Sequence, residues 1–401
     1  MRRGPVRPVL AAVVTAGLVV LMAAPASAAS YVQVASSGAY GGISENGTHI
    51  VFTSSGKLVA ADQNTLTDLY TLDQSTGAVR LVSANTAGQA VGTGAVTAAS
   101  LGGTRMISDD GRYAVFTSSA AGVVSGVASG VQHAYRKDLS TDVVVLLDKS
   151  GSTPGAKSVN EVGGISAVGD KVAFITASGL VVRDTNGYTD AYLWQSSSGT
   201  SALITASATG SALGTINDVR LAASGGFAIY TRLATPPAVG WNLYRRNLST
   251  GAVETLVSEV QLGEFAVSAD GTTIAFQSNK SLVAGDAGGT DVYVRTSIGA
   301  LKRVTVPLAG VTQPSTASHA IGNVSADGAY VSLSSNLKLA SGAAGTTSGF
   351  TAYRVAISSG AAQVIVPSTS TPSTLKYTIA MSGSGTKLVV DSSSALWRVA
   401  L

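Results

Sequence analysis

The sequence predicts an all-β fold, a seven-bladed β-propeller of four-stranded antiparallel blades, and three observations predict it. A ten-residue window recurs seven times along the chain. A second apolar run, carrying one aromatic residue, follows each window. No segment reads as a helix, whereas short runs of alternating apolar residues recur throughout. Self-similarity at a period of several strands marks a ring of blades rather than a sandwich.

The first 28 residues read as an address. Arg2, Arg3 and Arg7 precede an apolar run at 9–24, and Pro25-Ala26-Ser27-Ala28 supplies small residues at the cleavage positions. This is the pattern of a Sec-type signal peptide, with cleavage after Ala28. The apolar run is shorter than the roughly 20 residues a membrane span needs. Residues 29–401 are therefore expected to be a single exported domain without a membrane span. The whole chain carries a formal charge of +4, with 26 Lys and Arg against 22 Asp and Glu. Three of the cations lie in the leader, so the remainder is close to neutral and gives no footprint for nucleic acid. The absence of Cys excludes a disulfide scaffold, a thiolate metal site and a thiol nucleophile.

The windows occupy residues 43–52, 107–116, 165–174, 221–230, 267–276, 324–333 and 381–390. Each opens on an apolar residue, passes through a Gly-bearing turn and ends in an alternating strand. That is a hairpin, strands A and B, and Asn46-Gly47, Asp110-Gly111, Asp270-Gly271 and Asp327-Gly328 supply the positive-φ positions of its turn. Strand C follows with Tyr70, Tyr135, Tyr192, Tyr244, Tyr293, Tyr353 and Trp397. One aromatic per blade at one position is a packing requirement, so these are expected in the core between blades. Small or polar turns such as Ser75-Thr76-Gly77 lead into strand D. The seventh unit ends at Leu401 after three strands, and the strand-like segment 31–35 is expected to supply the fourth. Closing the ring in this way removes two unpaired sheet edges.

The windows ISDDGRYAVF (107–116) and VSADGTTIAF (267–276), with the later LVAGDAGGTDVYVR stretch (282–295), resemble the WD40-like (PD40-type) repeats of TolB-like propellers. The resemblance covers the chain after the leader. It implies the fold and an exported, envelope-associated setting, and it leaves activity open, because this propeller family hosts scaffolds, sensors and accessory domains of enzymes.

Candidate chemistry falls on the face shared by the B–C loops and the D–A connections. The latter are long and dissimilar at 83–105, 148–164, 205–217 and 306–322. Long loops in a compact domain are disproportionately functional. Glu161, Asp218 and Glu264 lie just before their windows, at the mouth of the axial channel, with Arg105 and Arg220 nearby. They are expected to be ion-paired or to bind ligand; as catalytic groups they would form the acid/base pair of a glycoside hydrolase or lyase. Three B–C loops carry acids: Asp62 and Asn64 before Asp68, Asp184 and Asn186 before Asp190, Asp286 before Asp291. The D-x-N spacing suits a hard cation such as Ca2+. It equally suits an Asx turn entering strand C, the role expected here, so no cofactor is expected. His133, Asn242 and Thr351 occupy the Asp68 position in blades 2, 4 and 6. His49 is expected to be exposed and His319 to sit in a loop, and no G-x-S-x-G elbow is present.

These observations point to a monomeric, secreted binding or scaffold propeller with a protein or cell-envelope polymer as partner, and to a secreted propeller enzyme as the alternative.

Overall fold

The structure, a computed structural model, describes residues 30–35, 42–91, 104–235, 239–260, 262–286, 289–296, 301–343, 349–365, 377–391 and 396–401. The leader expected at 1–28 lies outside the described residues.

The chain is an all-β, seven-bladed propeller with antiparallel blades. Blades 3 to 6 are complete four-stranded sheets in A-B-C-D order. Blade 4 is typical in order, with strands Ile216–Leu221, Phe227–Leu233, Trp241–Asn247 and Val253–Val260. Blades 1 and 2 depart from four strands: their A segments are reduced to the single bridges Ile43↔Ile50 and Ile107↔Ala114. Backbone bonds still hold these segments to strand B, from the Val51 amide to the Gly42 carbonyl and from the Val115 amide to the Met106 carbonyl. Ring closure follows the sequence expectation. Strand Ser30–Ala35 pairs antiparallel with Leu396–Ala400 and completes the blade formed with Thr378–Met381 and Lys387–Asp391.

Six of the seven windows carry a serine as their second residue, and it organises the turn. Ser108 is buried; its hydroxyl donates to Asp110 and accepts the Tyr113 amide, so one side chain satisfies both ends of the turn. Ser268 and Ser325 repeat this arrangement. In blade 4 Ala222 stands in that place. The turn glycine is required twice over. Gly111 has φ 71, and a Cβ there would meet the His49 ring at 2.3 Å. The first residue of strand B in one blade thus packs on the turn of the next, and His49 is half-buried rather than exposed.

The same turns lock the ring. The amides of Asp109, Ala167, Ser224, Ala269, Ala326 and Gly383 donate to the carbonyls of Ala167, Ala223, Ala269, Ala326, Gly383 and Glu45 respectively, each in the next blade. The seventh junction is closed by the Asn46 side-chain amide on the Asp109 carbonyl. This girdle surrounds the axis at the A–B turn end. The core lies between the blades: Phe52, Phe116, Phe174, Tyr230 and Phe276 each stack on the strand-C tyrosine beside them, with centroids 5.2–5.9 Å apart.

Candidate functional site

Strand A brings Glu161, Asp218 and Arg220 together. The bulge between Ile216 and Asp218 helps aim this part of the strand at the axis. Arg220 Nη1 donates to both Glu161 and Asp218, and its side chain is only 4% exposed. The guanidinium also lies over the Phe265 ring, 5.3 Å from its centroid. Burial, opposed in part by Arg220, pushes the Asp218 carboxyl well above its usual range. The two carboxylates hold Arg220 above the ordinary guanidinium value despite its own burial. Glu264 adds its field to Arg220 and accepts the Ile321 amide at 2.6 Å. Arg105 does not join this group. It binds Glu45 and Asp109, residues of the A–B turns.

This geometry limits the chemistry. Glycoside hydrolysis needs two carboxylates about 5–5.5 Å or about 6.5–9.5 Å apart with substrate between them. Here both carboxylates contact one nitrogen of Arg220, so the guanidinium occupies the gap. The axial cavity lined by Glu45, Arg105, Leu221, Val267, Asn323 and Ala380 has a volume of about 40 Å³. That is room for a few waters at about 10–15 Å³ each, well below the several hundred Å³ of an ordinary ligand site.

The B–C loop acids have a different partner from the one the D-x-N spacing suggests. Asp62 accepts the Tyr70 hydroxyl at 2.5 Å. Asp184 accepts that of Tyr192, and Asp286 that of Tyr293. Each acid ties its loop to its own strand C. Asn64 and Asn186 form the expected Asx turns, accepting the Leu66 and Tyr188 amides. The second acids hold residues just beyond strand D: Asp68, Asp190 and Asp291 accept from Ser83, Thr205 and Thr305. Blade 2 exchanges the two roles. His133 on strand C meets Asp148 beyond strand D at 2.7 Å, both buried. His319, expected in a loop, begins the A strand His319–Val324 and is buried, with Nδ1 2.9 Å from Ser335 Oγ. Among the described residues no group of three or more His, Asp or Glu side chains is arranged to hold a metal ion.

Tyr70, Tyr135, Tyr192, Tyr293 and Tyr353 are buried as the repeat requires. The Trp397 side chain lies outside the described residues. Tyr244 is the departure, because it is half-buried. Blade 4 has a short B–C connection, 234–240, in place of the longer loops 55–67 and 177–189 of blades 1 and 3. No loop acid reaches Tyr244, and its hydroxyl takes the Asn242 amide instead. Beside it a cleft of about 540 Å³ opens, lined by the 206–213 connection of blade 3 and by Tyr230, Arg232, Tyr244 and Arg246 of blade 4. Sequence reasoning missed this cleft; the signal that pointed to it is the departure of blade 4 from the repeat.

The fold has clear relatives among solved structures. The β-propeller domain of the Trilobed protease from Pyrococcus furiosus superposes with a TM-score of 0.52 at 11% identity, covering 90% of this chain and 94% of that one. Oligogalacturonate lyase from Vibrio parahaemolyticus gives 0.53 at 10% identity, covering 90% and 88%. A candidate TolB from Agrobacterium tumefaciens gives 0.43 at 16% identity, covering 75% and 90%. The chain is a seven-bladed β-propeller, a fold it shares with these propeller structures. At these identities the likeness concerns the fold alone. The Pyrococcus domain is described as having an open velcro topology, whereas here Ser30–Ala35 closes the ring. No family model and no curated protein matches the sequence. Among the described residues no helix is long and apolar enough to cross a membrane.

Proposed function

We propose that this is an exported, monomeric, non-catalytic binding or scaffold propeller, which engages a protein or a cell-envelope polymer through its long-loop face. The observation that carries this reading is the distribution of exposed large apolar side chains. Leu58, Leu66, Val182, Tyr188 and Val239 lie in B–C loops, Leu233 at the B–C end of its strand and Val306 in a D–A connection. Only Val143, Val168 and Val253 of that set lie toward the short turns. Single exposed apolar residues are ordinary, and it is their bias to one face that supports reading that face as the interaction surface. The carboxylates at the axis are read as structural, because Arg220 fills the space a substrate would need.

Two measurements test the proposal together. The purified chain without residues 1–28 is assayed against polysaccharides and aryl glycosides, and co-sedimented with isolated cell-envelope polymer and envelope protein fractions. Binding that falls in Val182→Glu/Val239→Glu, with no turnover, is the expected result. Turnover that disappears in Glu161→Gln or Glu264→Gln would replace the scaffold by a propeller enzyme.

A further inference from the structure

Blade 4 breaks the repeat at two positions that packing does not explain. Strand B ends its window in Phe in blades 1, 2, 3 and 5, but in Tyr230 here. Two residues later the other blades carry Ser54, Ser118, Thr176, Ser278, Ser335 and Ser392, while blade 4 carries Arg232. Both replacements add polar groups, and both line the same cleft of about 540 Å³. The Tyr230 side chain is 1% exposed and lines the cleft, and no described residue is hydrogen-bonded to its hydroxyl. Arg232 has no ion-pair or hydrogen-bond partner among the described residues, in contrast to Arg105, Arg112, Arg220, Arg245 and Arg303, which each bind a carboxylate. Arg246 uses Nη1 on the Ala206 carbonyl at 2.9 Å. No Asp or Glu lines the cleft.

We propose that the cleft between blades 3 and 4 is a binding site for a carboxylate-bearing sugar unit of a polysaccharide. The two guanidinium groups would take the carboxylate, since their planar donors match its two oxygens. The half-buried Tyr244 ring supplies an apolar platform for the C–H face of a pyranose. Tyr230, Ser207 and Thr250, which line the cleft, carry hydroxyls suited to a ligand rich in hydroxyl groups. The volume lies within the roughly 300–1,000 Å³ range of small-ligand sites. An acidic peptide would use the arginines but has no comparable need for the phenol and the ring platform. The site rests on the arginines and the phenol rather than on the exposed apolar side chains, and it stands whether or not those side chains bind a partner.

The test uses variants that restore the repeat, so folding is not at issue. Titration calorimetry at low salt measures the parent protein, Tyr230→Phe, Arg232→Ser and the distant Arg112→Ala. The probes are an oligouronate, a neutral glucose oligomer of equal length, poly-glutamate and inorganic phosphate. Saturable oligouronate binding by the parent and by Arg112→Ala, weakened about tenfold or more in Arg232→Ser and also reduced in Tyr230→Phe, is the expected result. The neutral oligomer should bind more weakly. Oligouronate binding that is absent, or unchanged in both blade 4 variants, overturns the proposal. So does poly-glutamate or phosphate binding as tightly as the oligouronate.

Discussion

Arg220→Met should destabilise the ring strongly, and by an amount that depends on pH. The methionine fills much of the arginine's space but leaves Glu161 and Asp218, 11% and 16% exposed, facing each other without their cation. Breaking a buried ion cluster by removing one partner costs about 3–5 kcal/mol. An unfolding entropy of about 2.1 cal/mol/K per residue, over 401 residues, gives about 0.8 kcal/mol/K. The Tm should then fall by about 4–6 °C near pH 8. The sign of the pH dependence follows from Asp218. Its folded pKa is already raised, mainly by burial. A carboxyl raised above its unfolded value costs stability once pH climbs through that window, because the ionised form is the disfavoured one. Removing Arg220 takes away the charge that opposes the rise, so the deficit should shrink as pH falls toward 4. Thermal unfolding followed by circular dichroism at pH 8, 6 and 4.5 measures this. Arg112→Ala, whose side chain is 47% exposed, serves as a comparison and should cost less than Arg220→Met. An Arg220→Met protein that melts within 1 °C of the parent at pH 8, or loses more at pH 4.5, would refute the reasoning.

Three further outcomes are expected. Deleting residues 30–35 exposes the edge of Leu396–Ala400 and should lower the Tm of the whole ring; unfolding that is unchanged would show that closure contributes nothing. Tyr192→Phe takes the donor from Asp184 and should cost about 1–3 kcal/mol, with Asp184→Asn/Tyr192→Phe costing less than the sum of the single changes, as a double-mutant cycle by urea denaturation would show. Added Ca2+ or EDTA should leave the Tm where it is, because Asp62, Asp184 and Asp286 are each committed to a tyrosine hydroxyl; a saturable rise with Ca2+ would return these loops to the metal reading.

The number of blades, the hairpin in each window, the aromatic core position and the closure of the ring were legible in the sequence. These are local demands. A positive-φ glycine, a serine that caps its own turn and a two-residue alternation are all satisfied within about ten residues, so they leave a repeating mark. The fate of the charged groups was decided elsewhere. Arg220 meets Glu161 across 59 residues and Arg105 meets Glu45 across 60, in each case over a blade junction. Arg105 and Arg220 sit within two residues of equivalent window positions, yet they serve different clusters. Which neighbour a long side chain reaches depends on where the next strand A bulges and how the blades lean together. The loop acids show the same division: the D-x-N spacing disclosed the Asx turns, but only the folded blade brought Asp62, Asp184 and Asp286 against the strand-C hydroxyls. The cleft of blade 4 needed both levels. Tyr230 and Arg232 were legible as departures from the repeat, and only the packing of blade 3 against blade 4 gave those departures a common space to face.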